Sequence, residues 1–228
     1  MPRGRYPKRL YLTNQDEEIL ERYRLVWRSK QLYFEPETFP PITVKEIFGV
    51  DKKLAIEIGC GDGEFLCAMA KRKSDICFLG IEVSRKPLEL AVSNAAKDSL
   101  SNIRFLQADL RFVAPLFLPE TVDVFYLHFP APFSAKSKFN RQTYSGEILL
   151  HIHRALTFGG RLSFITDDET AFDYVCGEVK QIEGFQILSE EDYHIEIETE
   201  LKSTYHKFWE KKGRAIHRTE FEKVTVSK

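Results

Sequence analysis

Three carboxylates and three glycines recur at spacings that bear on chemistry. In Leu54-Ala-Ile-Glu-Ile-Gly-Cys-Gly-Asp-Gly63 an apolar run breaks into Gly59, Gly61 and Gly63, with Glu57 just ahead of them. Alternate glycines take backbone angles closed to other residues and let a ligand approach the main chain, as a cofactor-binding loop between strand and helix requires. A dinucleotide fingerprint places its third glycine three positions after the second, where this chain has Glu64. The G-x-G-x-G spacing therefore favours S-adenosylmethionine over NAD. Glu57 suits a cationic sulfonium ligand, or else it accepts from a nearby backbone amide. Glu82 closes Leu79-Gly-Ile-Glu82, where a carboxylate accepts from the hydroxyls of a ribose; the alternative is a surface acid at a strand end. Asp109, in Gln107-Ala-Asp109, is placed either to accept from an adenine amino group or to cap a helix over 110–114.

These acids need strands to bring their ends together, and the apolar pattern supplies them. Strands are predicted over 54–58, 78–83, 103–107, 122–127 and 162–166, with helices over 64–71, 88–97, 143–156 and 172–182 between or after them. Gly159-Gly160 is read as the stop of the helix over 143–156. Segments 185–188 and 215–224 complete the sheet. Alternation of strand and helix predicts a doubly wound, mostly parallel, seven-stranded Rossmann-like α/β sheet with helices on both faces. Ligands of such sheets bind beyond the carboxyl ends of the strands. Upstream, residues 15–30 read as one helix, and Pro36, Pro40 and Pro41 mark a linker. The chain thus divides into a basic arm and helix over 1–50 and a cofactor-binding domain over 51–228.

With 228 residues, 43% of them hydrophobic and 29% charged, the chain is long enough for one large core. It has neither the apolar stretch of a signal peptide nor that of a membrane span, so a cytoplasmic protein is expected. Cys60, Cys67, Cys77 and Cys176 form no C-x-x-C pair, and His151 and His153 point to different faces of a helix, so no metal site is expected. The net charge of −1 conceals two basic ends. Arg3, Arg5, Lys8 and Arg9 precede any acid, while Lys202, Lys207, Lys211, Lys212, Arg214, Arg218, Lys223 and Lys228 outnumber the acids of the tail. Between them the run from Ser189 to Glu200 holds six acids and no Lys or Arg. A polyanion needs only a local basic patch, although charged tails also serve solubility alone.

The fourth strand runs into Leu127-His-Phe-Pro-Ala-Pro-Phe133, followed by Lys136, Lys138 and Arg141. Together with the glycine loop, Gly80-Ile-Glu82, Gly159-Gly160, Thr166-Asp-Asp168 and the tail Ser203-Thr-Tyr-His-Lys-Phe-Trp-Glu-Lys-Lys-Gly213 with Ile216-His-Arg218, this resembles the bacterial tRNA (guanine-N7)-methyltransferases. The resemblance spans most of residues 54–222. It implies that Glu57, Gly59, Gly61, Gly63, Glu82 and Asp109 hold S-adenosylmethionine. It also implies that Asp167, Ser203, Tyr205 and His206 hold the target guanine and that Lys136 and Arg141 grip tRNA; a monomer or weak homo-oligomer is expected. Asp167 otherwise caps the next helix, and Tyr205, Phe208 and Trp209 are otherwise core aromatics.

Departures from the family pattern gather where chemistry should occur. The family places Asp between the two prolines of the turn, Trp at 133, Lys at 135 and Glu at 206; this chain has Ala131, Phe133, Ala135 and His206. The catalytic residue is thereby left unassigned. Guanine N7 attacks the sulfonium methyl in line and carries no proton, so no general base is needed in principle, and alignment of nucleophile and methyl supplies most of the acceleration. Loss of a carboxylate near the product cation slows the step electrostatically. Two further readings follow from these departures: a diverged paralogue that binds cofactor or RNA with little transfer, or a methyltransferase for another acceptor. If His206 faces the acceptor, its ordinary pKa of about 6.5 implies a binding change near neutral pH.

Overall fold

A continuous apolar run can be buried on both faces only if helices cover both, and this chain builds such a sheet. The computed structural model describes residues 16–131, 144–188 and 201–226. Its strands are β1 (Arg24–Val26), β2 (Lys53–Ile58), β3 (Ile76–Glu82), β4 (Ile103–Gln107), β5 (Val122–His128), β6 (Leu156–Thr166), β7 (Phe185–Ile187) and β8 (His217–Lys223). Its helices are α1 (Glu17–Tyr23), α2 (Ser29–Phe34), α3 (Val44–Phe48), α4 (Glu64–Arg72), α5 (Arg85–Lys97), α6 (Leu110–Val113), α7 (Gly146–Ala155), α8 (Glu169–Val179) and α9 (Thr204–Lys211).

The strands pair in the order β1-β4-β3-β2-β5-β6-β8-β7. The pairs from β1 to β6 are parallel, whereas β8 runs antiparallel to both β6 and β7. Strand order reverses between β2 and β5, the place where a doubly wound sheet opens a crevice for ligands. In β2, Leu54, Ile56 and Ile58 face one core with Phe125, Leu162 and Phe164. Ala55 faces the other with Phe65, Leu88 and Phe105. One strand therefore feeds both layers through its two-residue period.

The doubly wound α/β class stands, with eight strands instead of seven among the described residues. The extra one comes from the segment read as a single helix over 15–30. That helix ends at Tyr23, and Arg24–Val26 pairs along β4 before α2 begins. Arg24, Leu25 and Val26 find backbone partners on an open sheet edge, and this tertiary pairing outweighs a weak helical period. Gly159-Gly160 also differs from its reading, because α7 ends at Ala155 and both glycines lie inside β6. Gly159 has φ +74°, and a Cβ on Gly160 would meet the Thr157 carbonyl at 2.8 Å, so the pair serves an irregularity in the strand.

Glycine is required at the loop for two different reasons. Gly59, Gly61 and Gly63 all have positive φ, at +74°, +56° and +67°. A Cβ on Gly59 meets nothing within 4 Å, but one on Gly63 lies 2.8 Å from the Ala91 Cβ and 3.2 Å from Phe105. Gly59→Ala is thus expected to cost roughly 1–2 kcal/mol from backbone strain alone. Gly63→Ala adds a clash between α4 and α5 and is expected to cost roughly 2–4 kcal/mol. Urea denaturation of the two variants checks this ordering, and equal losses would contradict it.

Candidate active site

The carboxyl ends of β2, β3 and β4 lie side by side, because Glu57 is in register with Gly80 and Glu82 with Gln107. The three sequence-predicted acids therefore fall at successive strand ends, each two residues beyond the register partner of the one before. Glu57 is buried at 3% exposure, and its Oε2 has no hydrogen-bond partner. An unpaired buried carboxylate oxygen is costly and asks what satisfies it. Burial, with Asp62 and Glu82 adding charge, pushes the Glu57 carboxyl well above its ordinary range.

Glu82 turns back over the glycine loop. Its Oε2 accepts from the Gly61 N–H at 3.3 Å and its Oε1 from the Ser84 N–H at 2.8 Å. Burial raises its carboxyl despite these bonds. Asp109 behaves differently. It caps α6 by accepting from the Arg111 N–H at 3.0 Å, and it takes the Arg111 guanidinium at 2.5–3.2 Å. Burial pulls its carboxyl up, yet the bonds from Arg111 outweigh that and leave it below the ordinary value. The capping role weighed for Asp109 is thus present.

A cleft of roughly 300 Å³, open space at its mouth included, is lined by Glu57, Gly59, Gly61 and Asp62 on one side and by Ser203, Thr204 and Tyr205 on the other. The tail helix α9 reaches it through contacts that sequence reading missed. The Thr204 hydroxyl donates to Asp62 Oδ2 at 3.1 Å and also contacts Glu64, and Lys207 Nζ meets Glu64 Oε1 at 2.8 Å. Ser203 caps α9, accepting from the His206 N–H at 3.2 Å. Tyr205 faces the acids: burial first, then Glu82 and Asp62, push its hydroxyl up to about 12 and keep it a donor. Asp62 and Glu64 sat in plain view inside and just after the glycine motif. Their partners are some 140 residues away, so no local spacing revealed the pairing.

Phe129 follows β5 with φ +49°, an unusual angle for a side-chain-bearing residue, and its N–H donates to the Ile165 carbonyl at 2.7 Å. The His206 ring packs on the Phe129 ring at 5.5 Å between centroids. Burial and Lys202 lower the His206 imidazole, so it is neutral near pH 7 and the titration expected there moves to lower pH. His128, overlooked in the sequence, lines the cleft, shares a 3.0 Å hydrogen bond with Ser163 Oγ, and is pushed by burial down to about 3.

Asp167 does not cap the next helix. Asp168 does, accepting from the Ala171 N–H at 3.3 Å. The Asp167 carboxylate instead pairs with Arg214, whose guanidinium lies 4.1 Å from the Trp209 ring centroid. Phe208, read as core, is half-buried against Trp209. The Ala131 carbonyl accepts from the Tyr144 hydroxyl at 3.2 Å. Lys136, Lys138, Arg141, Phe133 and Ala135 lie outside the described residues.

A glycine loop at the switch point of a doubly wound sheet, with acids on three successive strand ends, is the arrangement of a methyltransferase, and a family model described as putative methyltransferase matches residues 51–219. Solved structures with the same fold include the aminoglycoside resistance methyltransferase NpmB1, with TM-score 0.54, 21% identity and coverage of 79% of this chain and 92% of that one. The 16S rRNA methyltransferase KamB gives TM-score 0.56 at 13% identity over 80% and 92%. Sequence relatives are more specific. A tRNA (guanine-N7)-methyltransferase of Chloroflexus aurantiacus is 37% identical over 98% of this chain and 99% of its own length. One of Chloroherpeton thalassium is 33% identical over 93% and 94%. The chain belongs to the tRNA (guanine-N7)-methyltransferase family.

Glu57 gives a stability test. Its raised carboxyl means that the folded state holds a proton the unfolded chain releases near pH 4.5. The stability this contributes is complete below that pH and is lost as pH rises through the folded value. In ligand-free protein, Glu57→Gln is therefore expected to have a melting temperature above the parent at pH 7–8, with the gap closing toward pH 4.5. Parallel melting-temperature profiles for the two proteins would exclude the assignment.

Proposed function

We propose that this protein transfers the methyl group of S-adenosylmethionine to N7 of a guanine in tRNA, as a cytoplasmic enzyme. The observation that carries the reading is the buried, partnerless Glu57 Oε2 in a cleft shared with Asp62 and Glu64, with Glu82 on the Gly61 N–H beside it. That excess of negative charge is suited to a ligand bringing a positive one. Membership in the family supports the acceptor.

The donor, when bound, supplies an electrophilic methyl on a cationic sulfur. Glu57 gives up its proton when the cation binds and then faces it as an anion, and the glycine loop permits close main-chain approach. Glu82, held by the Gly61 and Ser84 amides, has a pre-set orientation for ribose hydroxyls. Asp109 retains acceptor capacity toward an adenine amino group while it caps α6. On the acceptor side, Ser203 and Tyr205 line the cleft, and Asp167 and His206 are proposed to join them in holding the guanine, with Lys136 and Arg141 gripping the tRNA backbone. Tyr205 and neutral His128 keep the wall uncharged, which strengthens the remaining electrostatics.

The methylated guanine is a cation, and Ala131 offers it no carboxylate. Because N7 has no proton to lose, the missing Asp removes electrostatic help and no proton acceptor. Turnover is accordingly expected to be slow, and Ala131→Asp to raise kcat by about tenfold or more. The deciding experiment incubates the purified protein with labelled S-adenosylmethionine and an unmodified tRNA transcript, then digests the RNA. The expected product is 7-methylguanosine. Glu82→Ala is expected to raise KM for the donor by ~10–100-fold, the loss of a hydrogen bond to a charged group. A digest without 7-methylguanosine would sink the reading.

A further inference from the structure

His128 is a buried titratable group in the cleft wall to which no motif gives a task. It ends β5, two residues beyond Tyr126, the register partner of Glu57 on β2, and both His128 and Glu57 line the cleft. Strand order reverses between these two strands. The residue is 7% exposed, and Phe65 at 4.9 Å and Tyr126 at 5.4 Å, centroid to centroid, hold its ring in place.

The hydrogen balance around this ring decides which nitrogen carries the proton. Nε2 lies 3.0 Å from Ser163 Oγ, and Ser163 is wholly buried in β6 between β5 and β8. Among the described residues that hydroxyl has no other partner. If Nε2 carried the proton, Ser163 Oγ would accept it and the buried hydroxyl hydrogen would be left without an acceptor, a loss that the opposite arrangement avoids. Ser163 therefore donates to Nε2, and the proton of the neutral ring sits on Nδ1. Nδ1 has no partner among the described residues and is not one of their fully buried orphan atoms, so its N–H opens on the cleft. Burial first, then His206 and Arg218 nearby, keep the imidazole neutral down to about 3.

We infer that His128 is a specificity residue for the acceptor base, its Nδ1–H donating to the guanine O6 while N7 takes the methyl. This rests on the proposed function, since it takes the acceptor to be guanine. N7 must keep its lone pair for the methyl, so the N–H takes the neighbouring acceptor on the same edge, which is O6. Adenine carries an amino group there, and two opposed N–H groups in a desolvated wall reject it. The N–H is also uncharged. It therefore repels neither the sulfonium nor the methylated product.

The test uses a tRNA transcript whose methylated guanosine, located in the parent's digest, is replaced by 2-aminopurine riboside, which keeps N7 and has hydrogen in place of O6. The parent is expected to lose ~100-fold or more in kcat/KM on this replacement. His128→Phe, which keeps a ring and drops the N–H, is expected to fall by a similar factor on guanosine and to treat the two bases within about threefold of each other. Its Kd for S-adenosylmethionine by calorimetry is expected to match the parent's. Nitrogen NMR of the histidine-labelled parent checks the tautomer without any variant: the ring that stays neutral to the lowest pH is expected to carry its proton on Nδ1. A proton on Nε2, or a parent that methylates 2-aminopurine as fast as guanosine, overturns the inference. A His128→Phe enzyme that separates the two bases as the parent does overturns it and leaves the proposed function standing. Weakened binding of S-adenosylmethionine with that separation intact assigns His128 to the methyl donor and overturns it too. A parent that forms no 7-methylguanosine overturns both.

Discussion

Carboxylates crowded in a low-dielectric place repel once ionised, and this protein gathers four of them around one turn of backbone. Glu57, Asp62, Glu64 and Glu82 surround the glycine loop, and Glu57 lies with one oxygen buried and unsatisfied. The buried, unsatisfied oxygen of Glu57 is unfavourable in isolation and calls for a partner, whereas Lys207 already offsets Glu64 in this cluster. Much of the architecture serves to hold it: parallel pairing aligns β2, β3 and β4 so that their acidic ends coincide, and positive φ at three glycines removes the side chains that would fill the space.

The tail couples the cluster to the rest of the molecule. Thr204 and Lys207 engage Asp62 and Glu64, so α9 is docked on the donor side by the acids that border the loop. The same helix places His206 against Phe129, just after β5. One short element therefore touches both the acids of the glycine loop and the turn after β5. That arrangement suits a reaction whose rate depends on alignment instead of on proton transfer.

Much of this was legible from residues alone, for physical reasons. Strand ends carrying Glu57, Glu82 and Asp109 follow from apolar runs that must be buried, and the glycine spacing implies backbone angles that the structure contains. Residues 24–26 were misread because three residues carry too little period to outweigh an adjoining helix, and their strand exists only by pairing with β4. Gly159-Gly160 looked like a helix stop because glycine serves ends and bulges alike. Thr204, Lys207 and His128 escaped notice because their partners are distant in sequence or, for His128, because burial and not motif defines the role. The capping of α8 by Asp168 instead of Asp167 turned on one residue of phase, which spacing does not resolve.

The central claim is that a carboxylate cluster with a protonated Glu57 waits for a cation, and linked proton release tests it most directly. Isothermal titration calorimetry of the ligand-free protein with S-adenosylmethionine at pH 6, in two buffers of different ionisation enthalpy, counts the protons that leave on binding. Binding with heats that differ between the buffers, corresponding to net proton release that disappears in Glu57→Gln, is the predicted result. No binding, or heats that are the same in both buffers, would contradict it.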